Sequence, residues 1–408
     1  MIPRIVSWLY RSFRPEEDII MLFCRYSFSR SSIDKKKLIQ SLRSEPLTVA
    51  TSRFQQLVAG NQLFPLIFEI TQENDIRRNI PLSVVEFIQK GAAERFFTQA
   101  ILEKEYRHIL QQLVRENVHF IILKNLYYKQ YILASDSQKV ERDLDVLLAP
   151  RLLNNEFETP KNILKRNKYI RKSMTQGQSL VPNDQDVFYK KIRVKKNVVI
   201  RSIVELHHRI VFAITWKRDF FNSEDDLLLT QELFRNTRKI RLFNLDLFVL
   251  NYTYQLFTLC LHFGIHHNYE SLFSAYEIAC FLRKYDKKID WPQFVQIAYR
   301  LRMYDHVMWV LCLIADIFRP SLVISIDAEL SFYRKNVSFF RRLILSVWFY
   351  KSICPTNFEI ENNQYEKLIL WTIITKIRKR NKILYVIVLS YHYLIHLCFG
   401  NHVLALRD

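Results

Sequence analysis

Glycine is the residue this chain does almost without. Five occur in 408 residues, at Gly60, Gly91, Gly177, Gly264 and Gly400. No two stand close enough to form a loop in which several backbone N–H groups converge on a phosphate, so a dinucleotide-binding GxGxxG and a P-loop are both excluded. The same scarcity argues against propellers and barrels rich in tight turns. Aromatic residues make up 14% of the chain, which excludes disorder as the main state. Charge is the second constraint: 60 Lys and Arg face 40 Asp and Glu, a net +20. Such a surface attracts polyanions, meaning nucleotides, nucleic acid or acidic lipid.

Six cysteines are scattered without a CxxC pair. That is neither a disulfide framework nor a zinc ribbon, and it predicts buried thiols in a reducing, cytoplasmic setting. The first residues carry early arginines and no uninterrupted apolar core, so no signal peptide is read there.

Apolar residues recur at three and four spacing from about 16 to 115, as in Phe54, Leu57 and Val58, then Val84, Val85 and Ile88. This predicts an N-terminal helical region, 1–115, punctuated by Pro46, Pro65 and Pro81. The pattern changes at Val118. VHFIILKN reads as a strand, DLDVLLA at 143–149 as a second and VVIRSIVELHHRI at 198–210 as a third, within an α/β core at 116–222. Between the last two, residues 161–201 hold 12 Lys/Arg and 2 Asp, a polar stretch that fits a solvated loop or a phosphate-contacting footprint. Helical spacing is read again from about 223 to 350, followed by a C-terminal extension, 351–408. Within it, Ile383 to Leu406 carry no Lys, Arg, Asp or Glu, a length that suits a membrane span. Its histidines are costly in lipid, so a buried helix is favoured over membrane contact. The fold class is α+β, a small mixed sheet flanked by helical regions.

Residues two apart on a strand share a face, so Asp143 and Asp145 project together. Paired carboxylates repel and persist around cations, and hard oxygen donors suit Mg²⁺ completed by substrate phosphates. Glu205, on the next predicted strand, reaches the same cluster if the strands are neighbours. The competing reading is two solvated carboxylates at a strand edge. His262 and His266 stand four apart on a predicted helix, a metal-pair spacing that more often marks packing. His207 is placed under the sheet and His208 on the active face.

The segment IILKNLYYKQYILASDSQKVERDLDVLL resembles the core of the DNA polymerase β-like nucleotidyltransferases, and within them a group of uncharacterised bacterial nucleotidyltransferases. The resemblance rests on Leu123-Lys124, Asp143-Leu144-Asp145, Glu205-Leu206-His207, Leu259-Cys260-Leu261-His262 with His266, and Ile289-Asp290-Trp291, in that order over residues 40–320. It implies a nucleotidyltransferase core using two Mg²⁺ ions and a nucleoside triphosphate (NTP). Asp143, Asp145 and Glu205 are then the catalytic and metal-holding carboxylates, and Lys124, Asn125 and Lys139 the nucleotide-contacting residues. The acceptor is left open among small molecule, peptide or protein, and RNA. Two departures stand out. Asn125 replaces the family glycine beside the phosphates, and Lys139 replaces an arginine. Asn tolerates left-handed backbone best among the alternatives, yet adds a side chain where a triphosphate lies. The alternatives are therefore a catalytically impaired binding protein that keeps the fold, or a basic nucleic-acid-binding protein.

Overall fold

The N-terminal helices follow the apolar spacing. In the computed structural model they are α1 (Pro15–Ser29), α2 (Ser32–Ser44), α3 (Ser52–Gly60), α4 (Phe64–Thr71), α5 (Asn74–Arg77) and α6 (Leu82–Arg115). α6 buries a stripe at helical spacing through Leu102, Tyr106, Ile109, Leu110 and Leu113, each worth on the order of 1.5–3 kcal/mol of transfer free energy. The described residues are 15–44, 52–123, 126–133, 143–149, 158–172, 185–195, 198–208, 223–266, 271–301, 303–318 and 324–336. All lie in the first of two compact units, Met1–Cys354 and Pro355–Asp408.

After α6 the chain alternates: β1 (Phe120–Ile122), α7 (Leu126–Tyr131), β2 (Asp143–Leu148), α8 (Glu158–Arg166), β3 (Ile170–Arg171), β4 (Gln185–Lys195) and β5 (Val198–His207). Then come α9 (Ser223–Arg235), β6 (Thr237–Leu242), β7 (Leu245–Leu250) and α10 (Tyr252–Leu261), which runs into a π-helical turn, His262–His266. α11 (Leu272–Tyr285), α12 (Trp291–Arg300), α13 (Tyr304–Phe318) and α14 (Asp327–Asn336) complete the described chain. The fold is α+β, a mixed seven-stranded sheet in the order β3-β4-β5-β2-β1-β7-β6 with helical flanks.

Two features differ from the sequence reading. The basic stretch is not a loop throughout: it supplies α8, β3, β4 and the start of β5. Its strands are hard to recognise because basic side chains occupy positions on both faces. The region from 223 is also not wholly helical, since β6 and β7 form a hairpin that pairs with β1 through Ile122 and Val249. Its two-residue turn is Phe243-Asn244, both at positive φ, 54° and 61°, the geometry that matches strand twist. Glycine usually marks such turns. Here the Phe243 ring lies under the Arg107 guanidinium, 4.8 Å from its centroid, a contact that compensates the strained backbone.

Alternation separates the two faces of the sheet. Leu144, Val146 and Leu148 share one face with Ser202, Val204 and Leu206, all buried. α6 and α8 lie against this region. Asp143, Asp145 and Leu147 share the other face with Ile203, Glu205 and His207. That face is closed around Leu147 and His207 and opens along β4 and β5, where Lys191, Arg193, Val199 and Arg201 are exposed.

Among the described residues no helix is long and apolar enough to cross a membrane. The apolar stretch 383–406 lies outside the described residues. Cys24, Cys260, Cys280 and Cys312 are buried and form no disulfide among the described residues, and burial pushes the Cys280 thiol up to about 12. These thiols are packing groups rather than nucleophiles.

Candidate metal centre

The site is made by one register. β2 and β5 run parallel, and Asp145 pairs directly with Glu205. Directly paired residues bring their side chains together on one face. His207, two residues after Glu205, therefore lies on that face too. Its Nε2 is 2.8 Å from Asp145 Oδ1 and 3.5 Å from Glu205 Oε2. One ligand atom from each of Asp145, Glu205 and His207 lies within 4.8 Å of the others. Asp145 is 1% exposed, whereas the Glu205 side chain keeps 22%. A buried carboxylate thus sits behind a more accessible one.

The backbone ties this cluster to the turn after β1. Leu123 N–H donates to the Asp145 carbonyl at 3.2 Å, and the Leu123 carbonyl accepts from Gln255 Nε2 on α10 at 3.3 Å. The next two residues, Lys124 and Asn125, and also Lys139, lie outside the described residues. Leu123 itself lies one hydrogen bond from the strand that carries Asp145.

Asp143 shares the face but not the cluster of three. It pairs with Ile203, and its charge acts on Tyr106 of α6, whose phenol is pushed up first by burial and next by this carboxylate. Tyr169 closes the same corner from the covered side, with its hydroxyl 2.7 Å from Ser202 Oγ. The structure thus brings Asp145 and Glu205 together and sets Asp143 one strand step away.

The two histidines exchange the places expected of them. His207 faces the carboxylates, because period two puts it on the Glu205 side. His208, past the end of β5, points its Nε2 to Asp186 at 3.2 Å. Asp186 is buried on the covered face and also meets Lys161 at 3.4 Å and Arg171. Burial opposes the charge on Asp186, but the His208 hydrogen bond and the two cations outweigh it and bring its carboxyl down to about 2. This knot is structural: it clamps β3, β4 and α8 together.

The helical motifs resolve into architecture. Asp290 caps α12, accepting from Gln293 N–H at 2.9 Å, and its own N–H donates to Thr253 Oγ1 at 2.9 Å. His262 is half-buried where α10 passes into the π-helical turn, in which a spacing of four no longer defines one face. It does not belong to the metal-competent group found among the described residues.

The donor set fits a divalent cation. Two carboxylate oxygens suit Mg²⁺ or Mn²⁺, and the imidazole extends the range toward Mn²⁺ and Zn²⁺. A sequence model of the family described as "Uncharacterised nucleotidyltransferase" matches residues 48–319. The chain belongs to that family. No curated protein and no solved structure matches it. The family match spans β1, the metal-competent strands β2 and β5, and the helices through α13, so the seven-stranded sheet and the site lie within the nucleotidyltransferase region.

Proposed function

We propose that the protein is a Mg²⁺-dependent nucleotidyltransferase, moving a nucleoside monophosphate from an NTP to an acceptor hydroxyl with release of pyrophosphate, in the cytoplasm. The observation that carries this reading is the Asp145–Glu205 register with His207 beside it. Neighbouring parallel strands place two carboxylates and an imidazole at one point, inside a chain of the nucleotidyltransferase family.

Asp145 and Glu205 are the residues to hold the cation, with Asp143 beside them for a second one. Bound there, the cation supplies charge neutralisation for the phosphates and acidifies an attacking hydroxyl. His207 holds Asp145 in orientation through its 2.8 Å bond, and against an ionised carboxylate its Nε2 carries the proton. Glu205 is the more accessible carboxylate and takes the hydroxyl proton. Lys124 supplies a point charge to the β- or γ-phosphate, Asn125 lies at the phosphate turn, and Lys139 supports the same end.

The test is incubation of the purified protein with each α-labelled NTP, Mg²⁺ and a panel of acceptors, beside Asp145→Ala. Label transfer and pyrophosphate release by the wild type alone support the reading. Mg²⁺-dependent NTP binding without pyrophosphate release, across all acceptors, would replace it with a binding protein that keeps the fold.

A further inference from the structure

The cations of the basic stretch are sorted by face. On the covered side of the sheet they are paired: Lys190 with Glu105 at 2.7 Å, and Lys161 and Arg171 with Asp186. On the face of Asp145 and Glu205, the register Lys191↔Arg201 and Arg193↔Val199 sets Lys191, Arg193 and Arg201 side by side. All three are exposed, and none has an acidic partner among the described residues. Uncompensated cations grouped on one strand pair are arranged for an anion, since solvated surface charge is ordinarily mixed in sign.

Aromatic and apolar surface is interleaved with them. Tyr189 pairs with Ile203 on this face, and the Arg201 guanidinium lies 4.5 Å from the Tyr189 ring centroid. Ile170 of β3 pairs with Tyr189 and is 60% exposed, and Val199 is 52% exposed. A tyrosine–arginine platform among lysine and arginine heads is the surface on which bases stack while cations meet the backbone. A lone phosphate or a small anion needs no such apolar extent.

The strip also leads to the site. Arg201 lies four residues before Glu205 on β5, roughly 13 Å along the strand, and Arg193 opposite Val199 lies roughly 20 Å away. We propose that the acceptor is a single-stranded nucleic acid, laid along the open face of β4 and β5 with its terminal hydroxyl at Glu205. This rests on the nucleotidyltransferase reading. The strand's hydroxyl oxygen forms a bond to the α-phosphorus, and the bond from that phosphorus to the α–β bridging oxygen breaks. Pyrophosphate leaves with the electron pair, and the hydroxyl proton passes to Glu205.

Binding is measured without NTP, by fluorescence anisotropy of a labelled 12-nucleotide RNA, DNA of the same sequence and the duplex, across a salt series. Single strands are expected to bind more tightly than the duplex. Lys191→Ala/Arg193→Ala/Arg201→Ala should flatten the slope of log affinity against log salt by about 2, at about 0.7 per lost phosphate contact. A charge-matched control, Lys36→Ala/Lys37→Ala/Lys90→Ala on α2 and α6, should leave the slope unchanged. Tyr189→Leu should weaken binding about 5- to 150-fold, the range for one lost stack, with the salt slope kept. An unchanged slope in the first variant, equal loss in the control, or duplex bound as tightly as single strands overturns the proposal. Single-strand binding that obeys these rules while no acceptor is ever labelled sinks the transferase reading but leaves the binding face. Transfer to a small acceptor without strand binding does the reverse.

Discussion

Changing Glu205 to Gln should make the metal-free protein more stable and the metal-loaded protein less so. Asp145 and Glu205 offer ligand atoms within 4.8 Å of each other. Two unit charges at that distance repel by about 3 kcal/mol at an effective dielectric of ~20, and by under ~1 kcal/mol in water. Glu205 keeps 22% of its side-chain exposure and His207 stands between the two, so the repulsion relieved by the amide is about 1–2 kcal/mol. A cation at about one hundred times its dissociation constant stabilises the wild type by ~2.7 kcal/mol. The amide surrenders most of that gain, because a neutral oxygen replaces a charged donor. The order of melting temperatures should therefore reverse on titration with Mg²⁺ or Mn²⁺. The variant melts a few degrees higher in EDTA and lower in excess metal, by differential scanning fluorimetry. A variant that melts below the wild type in EDTA and gains as much from metal would refute the reasoning, since the two carboxylates would then neither repel nor share a cation.

His207→Ala should weaken metal binding by roughly 10- to 100-fold in isothermal titration calorimetry, whether the imidazole is a ligand or orients Asp145. Asp186→Asn should cost about 1–2 kcal/mol in urea denaturation, because a carboxyl held near 2 against an ordinary 3.8 contributes stability that is present above pH 4 and lost as pH falls through 2. The same loss should appear in the unmodified protein as acid lability over that interval, and it should shrink in Asp186→Asn. Gly91→Ala should destabilise although it lies mid-helix. The added Cβ overlaps the buried Phe64 ring, itself packed on Phe87 at 5.2 Å between centroids, and overpacking of about 1–3 kcal/mol outweighs the ~1 kcal/mol helix-propensity gain. Asn125→Gly should raise turnover severalfold in steady-state kinetics if its side chain stands where the triphosphate lies. Unchanged kcat and KM would remove both Asn125 and Lys124 from the phosphate site.

The parts of the fold legible in the sequence are those whose pattern is local. α6 shows its stripe in consecutive turns, β5 opens on the β-branched run Val198-Val199-Ile200, and β2 sets Leu144, Val146, Leu147 and Leu148 within six residues. β4 was hidden because Lys190, Lys191, Arg193 and Lys195 fall on both faces and erase the apolar alternation that identifies a strand. The β6–β7 hairpin was hidden for a different reason. Its turn lacks the expected glycine, and β7 joins the sheet through one parallel pairing with β1 that joins residues far apart in the chain. Neither signal lies within a sequence window.

The site divides in the same way. The sequence carries Asp145 and Glu205 openly, but their meeting depends on β2 and β5 being parallel neighbours in one particular register. His207 was readable from parity alone, since residues 205 and 207 must share a face of any strand that contains both. The adjacent His208 obscured it: a pair of histidines at a strand end invites assigning the outer one to solvent and the active face. Asp143 passes the same parity test yet lies beside Ile203 and Tyr106 instead of the trio, because a second step along the strand moves a side chain nearly 7 Å. The chemistry of this sheet therefore depends on register more than on motif. A slip of one residue between β2 and β5 would leave Asp145 on one face and carry Glu205 and His207 together to the other. The buried apolar partners Leu144↔Val204 and Val146↔Leu206 prevent that slip, because it would also expose their faces to water. The hydrophobic side of β2 and β5 is thus what holds Asp145 and Glu205 in register on the other side.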